Sequence, residues 1–171
     1  MTAHERLLTI AHQAVDHAVT LFNGTTDHKL TAKGDRDYAT ETDYRIEREL
    51  RDHLAKATPD IGFLGEEAGH TGSHDRWWCL DPIDGTVNYV HGNPLCGISL
   101  ALVEEDEPTL GVIDLPRLGN RYWATAVTGA FRDGKPIHVS DAHGLSGAVI
   151  SLGDFAVGAD AADKNEIRLD V

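Results

Sequence analysis

Apolar residues recur every third or fourth position near the start of the chain: Leu7, Leu8, Ala11, Ala14, Val15, Ala18, Val19 and Phe22. That spacing predicts an amphipathic helix over residues 3–23, stopped by Asn23-Gly24. Residues 24–39 are polar and contain glycine, which predicts a loop or a short hairpin. A second helix is predicted over TETDYRIERELRDHLAKA, with Ile46, Leu50 and Leu54 on its apolar stripe. Thr40, with Asp43 three residues on, resembles a capping box in which Asp replaces the usual Glu or Gln. Thr58 to Gly62 reads as a turn and Phe63-Leu64 as a short strand. Gly65-Glu66-Glu67 follows it, and residues 68–75 read as a polar loop.

From Arg76 the period changes. Arg76 to Leu80 is a buried strand, followed by DPIDG and a short helix over residues 86–91. Strands are then predicted over Cys96–Val103, Thr109–Leu115, Arg121–Thr125 and Gly129–Arg132, separated by turn sequences. Asp133-Gly134 is a further turn before Ile137 to Val139, and Ala148 to Leu152 is one more apolar run. Helices first and a meander after predict an α+β fold, with helices layered on a largely antiparallel sheet. Residues 1–150 read as one domain. Residues 151–171 read as the start of a C-terminal domain, because within GDFAVGADAADKNEIRLDV the segment Asp163 to Asp170 resembles the opening of a helix or loop. The expectation is a truncated chain whose last strand lacks a following partner, and exposed sheet edges of that kind invite oligomerisation.

Charge narrows the partners. The chain has 171 residues, with 28 Asp and Glu against 15 Lys and Arg, a formal charge of −13. That balance argues against nucleic acid or an anionic membrane as the main partner. An anionic substrate would need something positive to receive it, and a bound cation is the simplest source. The 2 cysteines, Cys79 and Cys96, have no CxxC spacing and read as small buried residues. No apolar run approaches the ~20 residues that span a bilayer. The N-terminus is broken by charges and histidines and does not read as a secretory signal, so a cytoplasmic location is expected. The 10 histidines stand mostly in polar contexts. His12 and His17 are five apart, not the i, i+4 pair of a helical zinc site. His91 stands where it would line a site mouth.

The chemistry concentrates in WWCLDPIDGTVNYV, residues 77–90. Asp43, Glu66, Glu67, Asp81 and Asp84 all fall near element ends, with few basic residues around the last four. Carboxylates gathered in one site need a compensating charge, and hard oxygen ligands suit Mg²⁺. Asp81 could bridge two ions, the Ile83 carbonyl could ligate one, and Asp84 could hold the other. Gly85 lets backbone approach closely. The amides of Gly85 and Thr86, at a helix start, could receive phosphate. Asp-Pro and Asp-Gly are also common turn dipeptides, so on spacing alone the stretch reads equally as a turn or a site.

LDPIDGTVNYVHG resembles the metal-binding signature of the inositol monophosphatase family, lithium-sensitive and magnesium-dependent phosphatases. DYATETD resembles the family's Asp-x-Val-Thr-x-x-Asp, GFLGEEAG its Gly-Glu-Glu turn, and GAFRDGKPIHVS its later strand and turn. The resemblance runs from about residue 5 to residue 150. It implies a fold like that of inositol monophosphatase and fructose-1,6-bisphosphatase, with a small phosphorylated polyol and a second copy in a homodimer as partners. It implies that Glu66, Asp81 and the Ile83 carbonyl hold an activating Mg²⁺, and that Asp81 and Asp84 contribute to a second ion. Thr86 and Glu66 would position the attacking water, Asp43 would accept from the Thr86 hydroxyl, and the Gly85 and Thr86 amides would bind phosphate. Glu67 would support the site or lie at the surface, and Lys33 falls near a family lysine in a different register. The family's later Trp-Asp-x-Ala-Ala-Gly motif, source of a further aspartate, does not occur in these 171 residues.

The implied activity is Mg²⁺-dependent hydrolysis of a phosphomonoester, with inositol 1-phosphate as first choice. Histidinol phosphate, fructose 1,6-bisphosphate and 3′-phosphoadenosine phosphates are alternatives of the same class. A metal- or phosphate-binding module without turnover is a second reading. An aspartyl-phosphate enzyme of the haloacid dehalogenase kind is a third, but that chemistry needs Asp-x-Asp, and here two residues separate Asp81 from Asp84.

Overall fold

The computed structural model describes residues 2–24, 29–33 and 38–149. The chain divides into two units, residues 1–137 and 138–171. Among the described residues the first unit holds three helices, α1 (Ala3–Gly24), α2 (Glu41–Ala57) and α3 (Thr86–Val90). Its strands are β1 (Thr31–Ala32), β2 (Tyr38–Ala39), β3 (Gly62–Gly65), β4 (Gly69–Thr71), β5 (Arg76–Asp84), β6 (Gly97–Glu104), β7 (Glu107–Leu115), β8 (Asn120–Thr125), β9 (Gly129–Arg132) and β10 (Lys135–Ile137). In the second unit the described part carries one 3-10 turn, Leu145–Gly147.

β1 and β2 form a small antiparallel pair, and the other eight strands form one sheet in the order β10-β9-β8-β7-β6-β5-β3-β4. Every pairing in that sheet is antiparallel except β3 with β5. The fold is the expected α+β layering. α1 and α2 pack on each other and on the sheet, α1 over β6 and β7 and α2 over β3 and β5. The helical spacing puts Ala11, Ala14, Val15 and Ala18 of α1 into the core, where small side chains let helix and sheet approach. Alternate residues of the strands face them: Trp78 and Leu80, then Ile98, Leu100 and Leu102, then Leu110 and Val112. The indole N–H of buried Trp78 donates to Thr58 Oγ1 at 3.0 Å. Arg121 of β8 bridges Asp114 on β7, at 2.6 Å, to Asp16 on α1, at 2.7 Å.

Several boundaries differ from the sequence expectation. The polar loop at 68–75 contains β4, a short edge strand with half-exposed residues. The segment expected as Ile137–Val139 is instead β10, ending at Ile137. Most of the apolar run at 148–152 lies outside the described residues. Cys96 is buried as expected, but Cys79 is only half-buried, because it alternates with Trp78 and Leu80 and faces away from the helices. β5 does not stop at Leu80. It continues through the acidic motif to Asp84.

Candidate active site

The parallel pairing of β3 with β5 brings the site together. Gly65 of β3 stands opposite Leu80 of β5. The next residues on the two strands, Glu66 and Asp81, therefore emerge side by side at the carboxyl ends. Along β5 the register with β6 pairs Asp81 with Ser99 and Asp84 with Gly97. Pro82 and Ile83 thus stand against Ile98 alone, which is a β-bulge. Residues three apart on a regular strand point to opposite faces. The bulge cancels that: Ser99 and Gly97 are two apart, so Asp81 and Asp84 take backbone positions on one face. Proline suits the bulge because no ladder bond is required of it there. The Ile83 side chain is buried in the core, which leaves its carbonyl at the site.

α2 delivers the next group. Asp43 is fully buried at the third position of the helix, and the capping box is present. Asp43 Oδ2 accepts the Thr40 amide at 2.8 Å and the Thr40 hydroxyl. The other oxygen, Oδ1, is left for Thr86, whose hydroxyl lies 3.4 Å from it and 3.1 Å from the Ile83 carbonyl oxygen. The hydroxyl has one proton for these two acceptors and keeps lone pairs for a further donor. Burial raises the Asp43 pKa first of all, Thr40 works against that, and the charge of Glu66 adds to the rise.

Asp81 is the most strained carboxyl of the group. Its pKa is raised from 3.8 to about 7, mainly by burial, then by the charges of Glu66 and Asp84. A hydrogen bond to Glu66 acts in the same direction, since it exists only while a proton is held. Asp81 Oδ1 is buried without a hydrogen-bond partner. Beside it, Lys33 reaches in from the end of β1, with Nζ 2.9 Å from Glu66 Oε1 and 3.0 Å from Glu67 Oε1. The Glu67 side chain is 1% exposed, so it belongs to the interior side of the turn and not to the surface. Burial pushes its pKa up, Lys33 opposes this, and Glu66 and Asp43 add to it.

Gly85 closes β5 and opens α3. Its φ of 81° is left-handed, and a Cβ there would lie 3.0 Å from the Leu95 carbonyl oxygen. No side chain caps the start of α3. His91, at the other end of α3, is exposed, with Nδ1 2.8 Å from the Val87 carbonyl. An open cleft lined by Leu64, Glu66, Cys79, Asp81, Ser99 and Ala101 adjoins the acidic groups.

The sequence expectation named Asp43, Glu66, Asp81, Ile83, Asp84, Gly85 and Thr86. All lie at the junction of β3, β5, α2 and α3. Lys33 meets Glu66 despite the difference of register. Glu47 was not foreseen. It sits one helical turn after Asp43 and accepts the backbone amides of Glu67 and Ala68 at 2.7 and 3.0 Å. The available signal was a charged residue at i+4 from Asp43, between the core residues Ile46 and Leu50.

The residues suit a hard divalent cation. The donors are all oxygen, the carboxylates repel one another, and Asp81 Oδ1 is an orphaned buried acceptor. Among the described residues, no three His, Cys, Asp or Glu side chains form a ready-made metal cage. Lys33 supplies positive charge at Glu66 and Glu67.

The sequence matches the model of the inositol monophosphatase family over residues 1–168. It is 39% identical over 141 residues to a fructose-1,6-bisphosphatase/inositol-1-monophosphatase of Thermotoga maritima, covering 82% of this chain and 55% of the relative. It is 40% identical over 118 residues to a histidinol-phosphatase of Chlorobaculum parvum, covering 68% of this chain and 46% of the relative. The fold is similar to that of an inositol monophosphatase from Anabaena, with a TM-score of 0.72 and 30% identity, covering 82% of this chain and 52% of the other. The chain thus spans about half the length of these proteins.

Proposed function

The chain belongs to the inositol monophosphatase family, and from that premise we propose that it carries the metal- and water-handling part of a Mg²⁺-dependent phosphomonoesterase. The substrate class is a small polyol phosphate, with inositol 1-phosphate as first choice. The observation that carries the reading is the convergence of Glu66, Asp81 and Asp84 around a buried, unpartnered Asp81 oxygen, next to the Asp43–Thr86 contact.

Glu66, Asp81 and the Ile83 carbonyl would hold one Mg²⁺, and Asp81 with Asp84 would contribute to a second. When bound, Mg²⁺ supplies the Lewis acidity that makes water nucleophilic near neutral pH and stabilises charge on the leaving oxygen. The chain's own residues do the rest. Thr86 donates its proton to Asp43 and so keeps a lone pair with which to orient the attacking water. Asp43 is held in place by Thr40 and cannot turn away. Glu66 would accept the second hydrogen of that water. Gly85, which has no side chain to obstruct approach, and Thr86 would present backbone amides to the phosphate. Water oxygen bonds to phosphorus, the ester P–O bond breaks, and the polyol departs with a proton as its alcohol.

The homologous histidinol-phosphatase makes histidinol phosphate the second substrate to try. Inhibition by lithium, a cytoplasmic location and a homodimer accompany the family reading. The test is phosphate release from inositol 1-phosphate and from histidinol phosphate, with and without Mg²⁺, by this chain and by Asp84→Asn. Release that needs Mg²⁺ and is lost in Asp84→Asn is the expected result. Turnover by Asp84→Asn without added metal would sink the two-metal reading. A phospho-aspartate trapped at Asp81 would replace it with covalent catalysis.

A further inference from the structure

We infer that Glu47 is a positioning residue whose buried carboxylate fixes the backbone turn that aims Glu66. The inference rests on the reading of Glu66 given above. Glu47 is 2% exposed. Its Oε2 accepts the Glu67 amide at 2.7 Å, and its Oε1 accepts the Ala68 amide at 3.0 Å and Arg51 Nη2 at 2.7 Å. Those two amides directly follow Glu66, so the hydrogen bonds clamp the peptide planes on its C-terminal side.

Arg51 extends the clamp to the far side of the turn. It donates to Thr71 Oγ1 at 2.6 Å and to the Gly69 carbonyl at 3.0 Å, and its guanidinium lies 4.5 Å from the centre of the Phe63 ring. Gly65 completes the seat. A Cβ at that position would fall 2.1 Å from Glu47 Cδ, so the strand before Glu66 can lie against the carboxylate only as glycine. The turn is therefore gripped before and after Glu66.

The arrangement requires a carboxylate. Three donors converge on two oxygens, and an ionised Glu offers acceptors only. Glutamine would bring an NH₂ that must face one of those donors. The helix also ties two parts of the site together, because Asp43 and Glu47 are one turn apart on α2. One rigid element thus sets both the partner of Thr86 and the anchor of the Glu66 turn.

A purely structural Glu47 would affect stability alone, so the test reads metal affinity and local order. Mn²⁺ binding to the 171-residue chain is measured calorimetrically for the wild type, Glu47→Gln, Arg51→Gln and Glu66→Gln. Amide exchange at Glu67 and Ala68 is followed by NMR. Glu47→Gln is expected to lose protection at these amides and to weaken Mn²⁺ about tenfold or more, as loss of residues that orient ligands does. Arg51→Gln, which leaves the backbone contacts in place but removes the cation that holds the Glu47 carboxylate, is expected to weaken it by a smaller factor than Glu47→Gln does. Affinity in Glu47→Gln equal to wild type, with binding lost in Glu66→Gln, would refute Glu47 and spare Glu66. Wild-type affinity in Glu66→Gln would remove the reading of Glu66 and Glu47 with it. Should Glu47→Gln not fold, Arg51→Gln decides, and unchanged affinity there overturns the inference.

Discussion

Asp81→Asn should make the metal-free protein more stable, and only at neutral and alkaline pH. The folded chain raises this carboxyl from 3.8 to about 7. Between those values the native state holds a proton that the unfolded chain has released. Stability therefore falls as pH rises across that window and stays at the lower level above it. A rise of about 3 units at ~1.4 kcal/mol per unit sets a ceiling of about 4 kcal/mol. Asp81 is only partly buried, and water screening reduces this to about 2 kcal/mol. Asparagine has nearly the same shape and never carries the charge. Urea unfolding in EDTA at pH 8 and pH 5 would measure the difference. With a slope of about 2 kcal/mol per molar, the midpoint of Asp81→Asn should lie about 1 M above wild type at pH 8. The gap should shrink at pH 5, where wild-type Asp81 is largely protonated. Equal midpoints at pH 8, or a gap independent of pH, would show that burial and the charges of Glu66 and Asp84 do not burden Asp81 as described.

Other outcomes follow from single contacts. Thr86→Ala should lower the rate of phosphate release about 100-fold or more, with KM little changed, while Thr86→Ser retains most of it; steady-state kinetics decides. Gly85→Ala forces a side chain into a left-handed backbone 3.0 Å from the Leu95 carbonyl and should cost about 1–3 kcal/mol in urea unfolding. Thr58→Val strands the buried Trp78 indole N–H and should cost about 1–3 kcal/mol by the same assay, with a change in tryptophan emission.

Much of the architecture was legible in the sequence because its signals are local. The α1 and α2 faces repeat with the helical period, and β6 to β9 are bounded by their own turn residues. Thr40 and Asp43 are three apart, so the cap that holds Asp43 could be read directly. Asp-Pro resembles a strand exit, so the sequence ends β5 at Leu80, and the bulge becomes visible only in the pairing with β6. β4 escaped notice as a half-exposed edge strand of three residues. The grip of Glu47 on the Glu67 and Ala68 amides spans about twenty residues and depends on how α2 lies over β3. No local periodicity encodes that contact, and the same is true of Lys33 reaching Glu66.

The bulge at Pro82 and Ile83 has a consequence for insertions and deletions. Removing Pro82 would leave Ile83 alone opposite Ile98, in a strand with continuous pairing to β6. The sheet would tolerate the loss, but Asp81 and Asp84 would lie on opposite faces only if a second residue were also removed or the ladder shifted; with one residue gone they become ordinary i, i+2 neighbours, and what disappears is the backbone bend that turns the Ile83 carbonyl toward Thr86. Length variation in this stretch is therefore filtered by chemistry and not by folding: a shortened motif can yield abundant, stable protein that has lost one of its oxygens.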